Sequence, residues 1–520
     1  MAAALIPPAL AQAAAPAPVV RTELGPVEGA HRDGLDVFLG IPYAAPPTGA
    51  LRLAPPAAPA AWTAPLRATV PPSACPQTAS ADPAGLASNT EDCLYLNVWA
   101  PAPATPPRPV IVWLHGGGFV EGYGAAKQYD ATRLAAWANA VVVSVNYRVG
   151  ALGFLAADAL DVADSRHVSG NYGLLDAQAA LGWVNRNIAA FGGDAHEVTV
   201  MGESAGANLV LGLLASPASD GLFQRAIVQS STDGAHTVPL AQAETQTYAH
   251  APDEIGCASG PGLLACLRTA PVPSFLHMTI RPTMVQDGVV LPLDPFEAFR
   301  QGRFIRVPVL IGSNAKENYL FTARTESDVL KRAMTRDDLA AQLKASFGDK
   351  ADAVGSQYPS GAYVNAATLI GSVLTDRRFS CMANLARTDL SQFVPVFGYQ
   401  LDIADPAQQQ PLPPGSELPN VSYHTSDLGY VFDNDNDARP LSGYHAALAH
   451  MMIGYWSGFA ATGDPNAVSQ GAVRPAWPRF TPDAPAVLSI SDAPAPTGNF
   501  AREHKCAFWE HSGLVARTWQ

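Results

Sequence analysis

Glu197-Val198-Thr199-Val200-Met201-Gly202-Glu203-Ser204-Ala205-Gly206 is the stretch whose reading decides the fold. Residues 197–201 read as a short strand. Beyond Gly206 the chain turns apolar and helical, from Leu209 to Leu214. A strand, a sharp turn and a helix, with G-x-S-x-G at the turn, hold a serine at strained dihedrals and push its hydroxyl into a cleft. Glycines flank it because side chains would clash in so tight a turn. The pattern alone arises easily by chance, and a serine in a Gly-rich turn is its ordinary reading. The strand before it and the helix after it make Ser204 a candidate nucleophile.

Working outward, Val110-Ile111-Val112-Trp113-Leu114 and Val141-Val142-Val143-Ser144-Val145 are continuous apolar runs, as buried parallel strands require. Ala226 to Gln229 and Val307 to Ile311 are two more, and Cys93 to Trp99 alternates like a strand. Between them, 131–138 and 174–188 carry helical periodicity. Strands alternating with helices predict an α/β fold with a large, mostly parallel central sheet flanked by helices. Segments 235–300 and 320–390 are mixed and mostly helical, and read as insertions over the sheet's carboxyl edge. No composition break divides the chain, so 18–520 reads as a single domain.

At 520 residues with 48% hydrophobic content, the chain can bury a large core. Its formal charge is −13, with no Lys/Arg cluster, which argues against nucleic acid or an anionic membrane as partner. No stretch beyond the N-terminus is long and apolar enough to span a bilayer. Abundant Ala, Pro and Gly suggest a high-GC bacterial source. Residues 1–13, ending in Ala11-Gln12-Ala13, lack a basic n-region and read as a signal peptide, truncated at its start; the alternative reading is a disordered Ala/Pro tail. Six cysteines, an even count, fit a secreted or periplasmic chain with paired disulfides, and no C-x-x-C spacing suggests zinc. The spacing alone leaves their pairing open.

The chain resembles the type-B carboxylesterase family, which includes bacterial para-nitrobenzyl-type esterases and the cholinesterases. The resemblance runs from about 20 to 515. Its markers are Glu91-Asp92-Cys93-Leu94-Tyr95-Leu96-Asn97-Val98-Trp99 and Phe191-Gly192-Gly193-Asp194 leading into Gly202-Glu203-Ser204-Ala205-Gly206. Phe38 to Ala44, Asn146 to Gly150 and Gly170 to Asp176 resemble further family blocks. The resemblance implies an α/β-hydrolase fold, with helical insertions over the active site, acting on carboxylic esters.

A serine hydroxyl needs a base within hydrogen-bond reach, and the base needs an orienting acid. Chain order in this fold is serine, acid, histidine. Of twelve histidines, His424, in Tyr423-His424-Thr425-Ser426-Asp427-Leu428-Gly429, resembles the family's catalytic position. His445 and His450 lie on a predicted helix and read as structural. Glu317, in Gly312-Ser313-Asn314-Ala315-Lys316-Glu317, occupies the acid position of the family's G-x-N-x-x-E block. His115-Gly116-Gly117-Gly118-Phe119 is the HGGG-type motif. By resemblance, Gly117, Gly118 and Ala205 supply backbone N–H groups to the oxyanion of the tetrahedral intermediate. Glu203 and Ser230 also match family positions near the triad, as a buried carboxylate and a hydroxyl in its hydrogen-bond network. No metal or organic cofactor is needed; the partners are a small carboxylic ester and water.

The resemblance further implies disulfides Cys75–Cys93, Cys257–Cys266 and Cys381–Cys506, and ion pairs Arg52–Glu91 and Arg148–Asp176. The loop from Cys75 to Cys93 has no aromatic residue, whereas cholinesterases carry a tryptophan there to hold a quaternary ammonium. Choline esters are therefore disfavoured. The leading expectation is a serine carboxylesterase working through an acyl-serine. The alternatives are a non-catalytic adhesion or scaffold member of the fold, which would typically lack a triad member, and a lipase or amidase using the same triad.

Overall fold

A computed structural model describes residues 16–79, 86–103, 106–278, 281–435, 437–467 and 474–515. The proposed signal segment, 1–13, lies outside the described residues. Among the described residues the main sheet has eleven strands. In chain order they are β1 (Ala30–Arg32), β2 (Leu35–Pro42), β3 (Tyr95–Pro101), β4 (Arg108–Leu114), β5 (Val141–Val145), β6 (Gly193–Glu203), β7 (Arg225–Gln229), β8 (Val309–Asn314), β9 (Val396–Asp402), β10 (Val487–Ser491) and β11 (Ala495–Thr497). Their spatial order is β1-β2-β3-β5-β4-β6-β7-β8-β9-β10-β11. Every neighbouring pair from β5 through β10 is parallel, and the outer pairs are antiparallel.

The apolar runs are continuous because both faces of the sheet are covered. On β4, Val110, Val112 and Leu114 join one hydrophobic cluster while Ile111 and Trp113 join another. Val142 likewise faces away from Val141 and Val143. The helices that supply these layers and carry the site are α1 (Thr132–Ala138), α2 (Tyr172–Asn187), α3 (Ala205–Ala215), α4 (Tyr319–Arg324), α5 (Ala366–Thr375), α6 (Cys381–Leu390), α7 (Ser426–Phe432), α8 (Gly443–Thr462) and α9 (Cys506–His511).

Strand β6 runs from Gly193 to Glu203, longer at both ends than the 197–201 read from sequence. Strands β9 and β10 lie outside the apolar runs that the sequence reads as strands. β9 is buried along most of its length yet contains Gly398 and Gln400, so its apolar run is broken. A Cβ at Gly398 would stand 2.9 Å from Arg387 Cδ, so the close approach of that side chain leaves room only for glycine.

The topology itself nominates the site. From β4 the chain passes to β5 on one side, and from β6 to β7 on the other. The carboxyl ends of β4 and β6 therefore lie at a point where the winding reverses, which is where open α/β sheets hold ligands. β4 ends at the glycine motif and β6 ends at Ser204.

Candidate active site

Ser204 sits between β6 and α3 at φ 55° and ψ −120°. Such a conformation persists only when its surroundings over-determine it. Here the Ser204 amide donates to Gln229 O on β7 at 2.9 Å, and Asn208 N donates to Ser204 O at 3.0 Å. A Cβ added to Gly206 would lie 2.0 Å from Leu114 O, so the start of α3 touches the end of β4 backbone to backbone. That contact brings the glycine motif to the serine.

The motif itself needs glycine. Gly117 has φ +112°, and a Cβ there would lie 2.1 Å from Glu121 O. Its carbonyl accepts from Val120 N and Glu121 N, which closes the loop. Among the described residues the amides of Gly117, Gly118 and Ala205 donate no hydrogen bond, and all three residues line the cavity over Ser204. Ala205 is the first residue of α3, where an amide has no intrahelical partner. Behind the loop, His115 stacks on Tyr147 with centroids 4.2 Å apart. Its Nδ1 bonds Gly116 O at 2.8 Å. Burial pushes the His115 imidazole down to about 4, so it is neutral and props the loop.

His424 lies on the loop before α7, and Glu317 follows β8. The two loops are joined by backbone hydrogen bonds from Lys316 N to Ser422 O and from His424 N to Glu317 O. His424 Nδ1 is 2.7 Å from Glu317 Oε2, and Nε2 is 2.9 Å from Ser204 Oγ. A carboxylate can only accept, so Nδ1 carries the proton and Nε2 accepts from the serine hydroxyl. Glu317 is fully buried, and its second oxygen takes Asn314 N at 2.6 Å and Asn314 Nδ2 at 3.3 Å. The rings of Phe321 and Phe379 flank the imidazole at 5.0 and 5.2 Å.

The structure also brings Glu203 and Ser230 to this centre. Glu203 Oε1 lies 3.2 Å from His424 Nε2. Ser230 Oγ accepts from Asn314 Nδ2 at 3.2 Å. Sequence reasoning missed Asp427, which accepts from Gln229 Nε2 and Tyr399 Oη, each at 2.8 Å, and from Asn314 Nδ2 at 3.3 Å. Burial first, then the neighbouring Glu317 charge, raise the Asp427 carboxyl above its ordinary value. Its signal was its place three residues beyond His424, on the first turn of α7.

The cavity holds about 390 Å³ and is bounded by residues from both insertions, including Arg281, Pro282, Leu320, Phe321, Arg378 and Phe379. His445 and His450 stand apart from it on α8, bonded to Tyr430 and paired with Asp433. Among the described residues no cluster of three or more His, Cys, Asp or Glu is arranged to hold a metal, and no helix is long and apolar enough to cross a membrane.

The remaining residues singled out from sequence lie in the scaffold. Cys75 pairs with Cys93, Cys257 with Cys266 and Cys381 with Cys506. Arg52 Nε donates to Glu91 at 2.7 Å and its Nη1 to Ala270 O at 2.6 Å. Arg148 grips both oxygens of Asp176 at 2.7 Å, with both side chains buried.

The sequence profile of the carboxylesterase family matches residues 16–509. The chain is 36% identical over 488 residues to a fumonisin B1 esterase of Sphingopyxis macrogoltabida, covering 91% of this chain and 86% of that one. It is 34% identical over 481 residues to the para-nitrobenzyl esterase of Bacillus subtilis (strain 168), covering 89% and 92%. A solved PNB esterase superimposes with a TM-score of 0.77 at 32% identity, over 94% of this chain and 99% of that one.

Proposed function

The chain belongs to the carboxylesterase family and is a carboxylic ester hydrolase, and we propose that it works through a Ser204–His424–Glu317 triad and an acyl-serine intermediate. The observation that carries this reading is a single imidazole hydrogen-bonded to Ser204 Oγ at 2.9 Å on one side and to Glu317 at 2.7 Å on the other.

In the first half-reaction Ser204 Oγ attacks the ester carbonyl while His424 Nε2 takes its proton. Negative charge moves to the former carbonyl oxygen, where the amides of Gly117, Gly118 and Ala205 receive it. Preorganised donors of this kind are worth on the order of 3 kcal/mol each. The intermediate collapses, the C–O bond to the alcohol breaks, and His424 returns the proton to the departing oxygen. Water then attacks the acyl-Ser204 with His424 again as base, and the carboxylic acid leaves. Glu317 fixes the tautomer and stabilises the imidazolium without taking its proton. Ser230 and Asp427 act through Asn314 by holding Glu317 in place.

Three disulfides support a secreted or periplasmic location, because such bonds persist in oxidising compartments. We read 18–520 as one domain on the same footing.

Hydrolysis of para-nitrophenyl esters from acetate to palmitate, with wild type and Ser204→Ala side by side, tests the proposal. Turnover abolished by the substitution is expected. Turnover retained in a folded Ser204→Ala protein would place the nucleophile elsewhere.

A further inference from the structure

The cavity carries positive charge that the acyl-transfer chemistry does not use. Arg281, Arg324 and Arg378 line it together with Ser204 and His424. Arg324 gives one N–H to Gln410 Oε1 at 3.1 Å. Arg378 reaches Asp233 Oδ1 and Asn318 Oδ1, each at 3.3 Å. It also lies 5.9 and 5.7 Å from the ring centroids of Phe321 and Phe379, the two rings that flank His424. A cation therefore stands one aromatic layer from the imidazole.

Arg281 makes no hydrogen bond among the described residues. The carboxylate beside it, Asp233, is already engaged by Arg377 and Arg378. Burial alone would raise Asp233, yet Arg378, Arg377 and Arg281 together hold it below the ordinary carboxylate range. Conversely, desolvation and then the like charge of Arg378 lower the Arg281 guanidinium, although its side chain is exposed. An arginine does not give up its proton near neutral pH. The geometry that remains is an excess of positive charge: Arg281 and Arg378 line one cavity wall, and the nearby carboxylate, Asp233, is already paired with Arg377 and Arg378. A second anion at this place would balance that charge. This charge is local, in a chain whose formal net charge is −13.

Two carboxylates also line the cavity. Glu203 is turned to His424 Nε2, and Glu121 follows the glycine motif. They disfavour an anion at those positions and leave the arginine wall as the place for one.

We propose that Arg281 and Arg378 form a subsite for a carboxylate carried by the substrate, so that the preferred esters are anionic. The guanidinium fork suits a carboxylate geometrically as well as electrostatically. The proposal rests on the hydrolase reading above. It names the substrate class and leaves open whether the charge sits on the acyl or the alcohol side.

Proton release during hydrolysis separates the two. Monomethyl glutarate against methyl pentanoate places a carboxylate on the acyl side. 3-Acetoxypropionate against propyl acetate places it on the alcohol side. The full chain should favour the charged member of at least one pair by about tenfold or more in kcat/KM, the equivalent of one charge-assisted hydrogen bond. Arg281→Gln should remove most of that preference and Arg281→Lys should retain most of it, with thermal midpoints confirming that both variants fold. Equal or better turnover of the neutral member in both pairs overturns the subsite and leaves the hydrolase reading standing. So does an undiminished preference in Arg281→Gln. Inertness of all four esters also overturns the proposal, and phosphonate labelling of Ser204 then decides whether the hydrolase reading falls with it.

Discussion

Glu203 holds a carboxylate oxygen 3.2 Å from His424 Nε2, the same nitrogen that faces Ser204 Oγ. In the resting tautomer Nε2 carries no proton, so this contact gains little. On the proposed mechanism, once Nε2 takes the serine proton the imidazolium lies between two carboxylates, Glu203 and Glu317. On that mechanism Glu203 would interact more strongly with the transition state than with the resting enzyme, which is what accelerates a reaction.

Glu203→Gln should therefore lower kcat/KM by about tenfold to a hundredfold, the range of a hydrogen bond to a charged group. KM should change far less than kcat. Steady-state kinetics on para-nitrophenyl acetate would check it. A loss smaller than about twofold would reduce Glu203 to a packing role.

Arg148 and Asp176 are both buried and joined by two hydrogen bonds at 2.7 Å. Arg148→Ala leaves the Asp176 carboxylate uncompensated and should destabilise the fold by about 3–5 kcal/mol. Arg148→Met with Asp176→Leu should recover much of this, since two apolar groups leave no orphan charge. Denaturant midpoints of the three proteins would decide. A double variant less stable than Arg148→Ala would contradict the argument.

The disulfides should differ in worth. Cys381–Cys506 spans 125 residues and Cys257–Cys266 spans 9. On the chain-entropy account the first contributes about 5 kcal/mol and the second about 2–3. Replacing each pair by alanine and comparing thermal midpoints should show the larger drop for 381/506.

His115 makes stability depend on pH. Its folded value is about 4, whereas an unfolded histidine titrates near about 6.5. Between these values the unfolded chain binds the extra proton, so stability rises with pH. The contribution is complete above the upper value and is lost as pH falls through the lower one. It amounts to about 3 kcal/mol. His115→Asn should show a flatter midpoint–pH profile across that window, and parallel profiles would refute the assignment.

Much of this was legible in the sequence because the residues concerned sit in local patterns. Ser204 is declared by the turn between a strand and a helix. Glu317 and His424 each sit in a block that follows a buried element, and Gly117 and Gly118 directly follow β4. Asn314 and Asp427 stood inside those same blocks, but their role depends on which oxygens converge on one amide, and no spacing rule gives that. Arg281 and Arg378 were invisible for a different reason. They come from separate insertions about a hundred residues apart, and only the tertiary fold brings both to one cavity wall. β9 escaped because burial on both faces lets a strand carry Gly398 and Gln400 where a half-exposed strand would alternate.

Ser204 is the proposed nucleophile, and His424 the base that activates it. Incubation with diethyl para-nitrophenyl phosphate, followed by peptide mass spectrometry, tests that assignment most directly. Attack by Oγ forms a Ser204–phosphorus bond and releases para-nitrophenolate. One diethylphosphoryl group per chain on the Ser204 peptide is predicted, with labelling at least about a hundredfold slower in His424→Ala. A label on any other residue, or undiminished labelling of Ser204 in His424→Ala, would contradict the account.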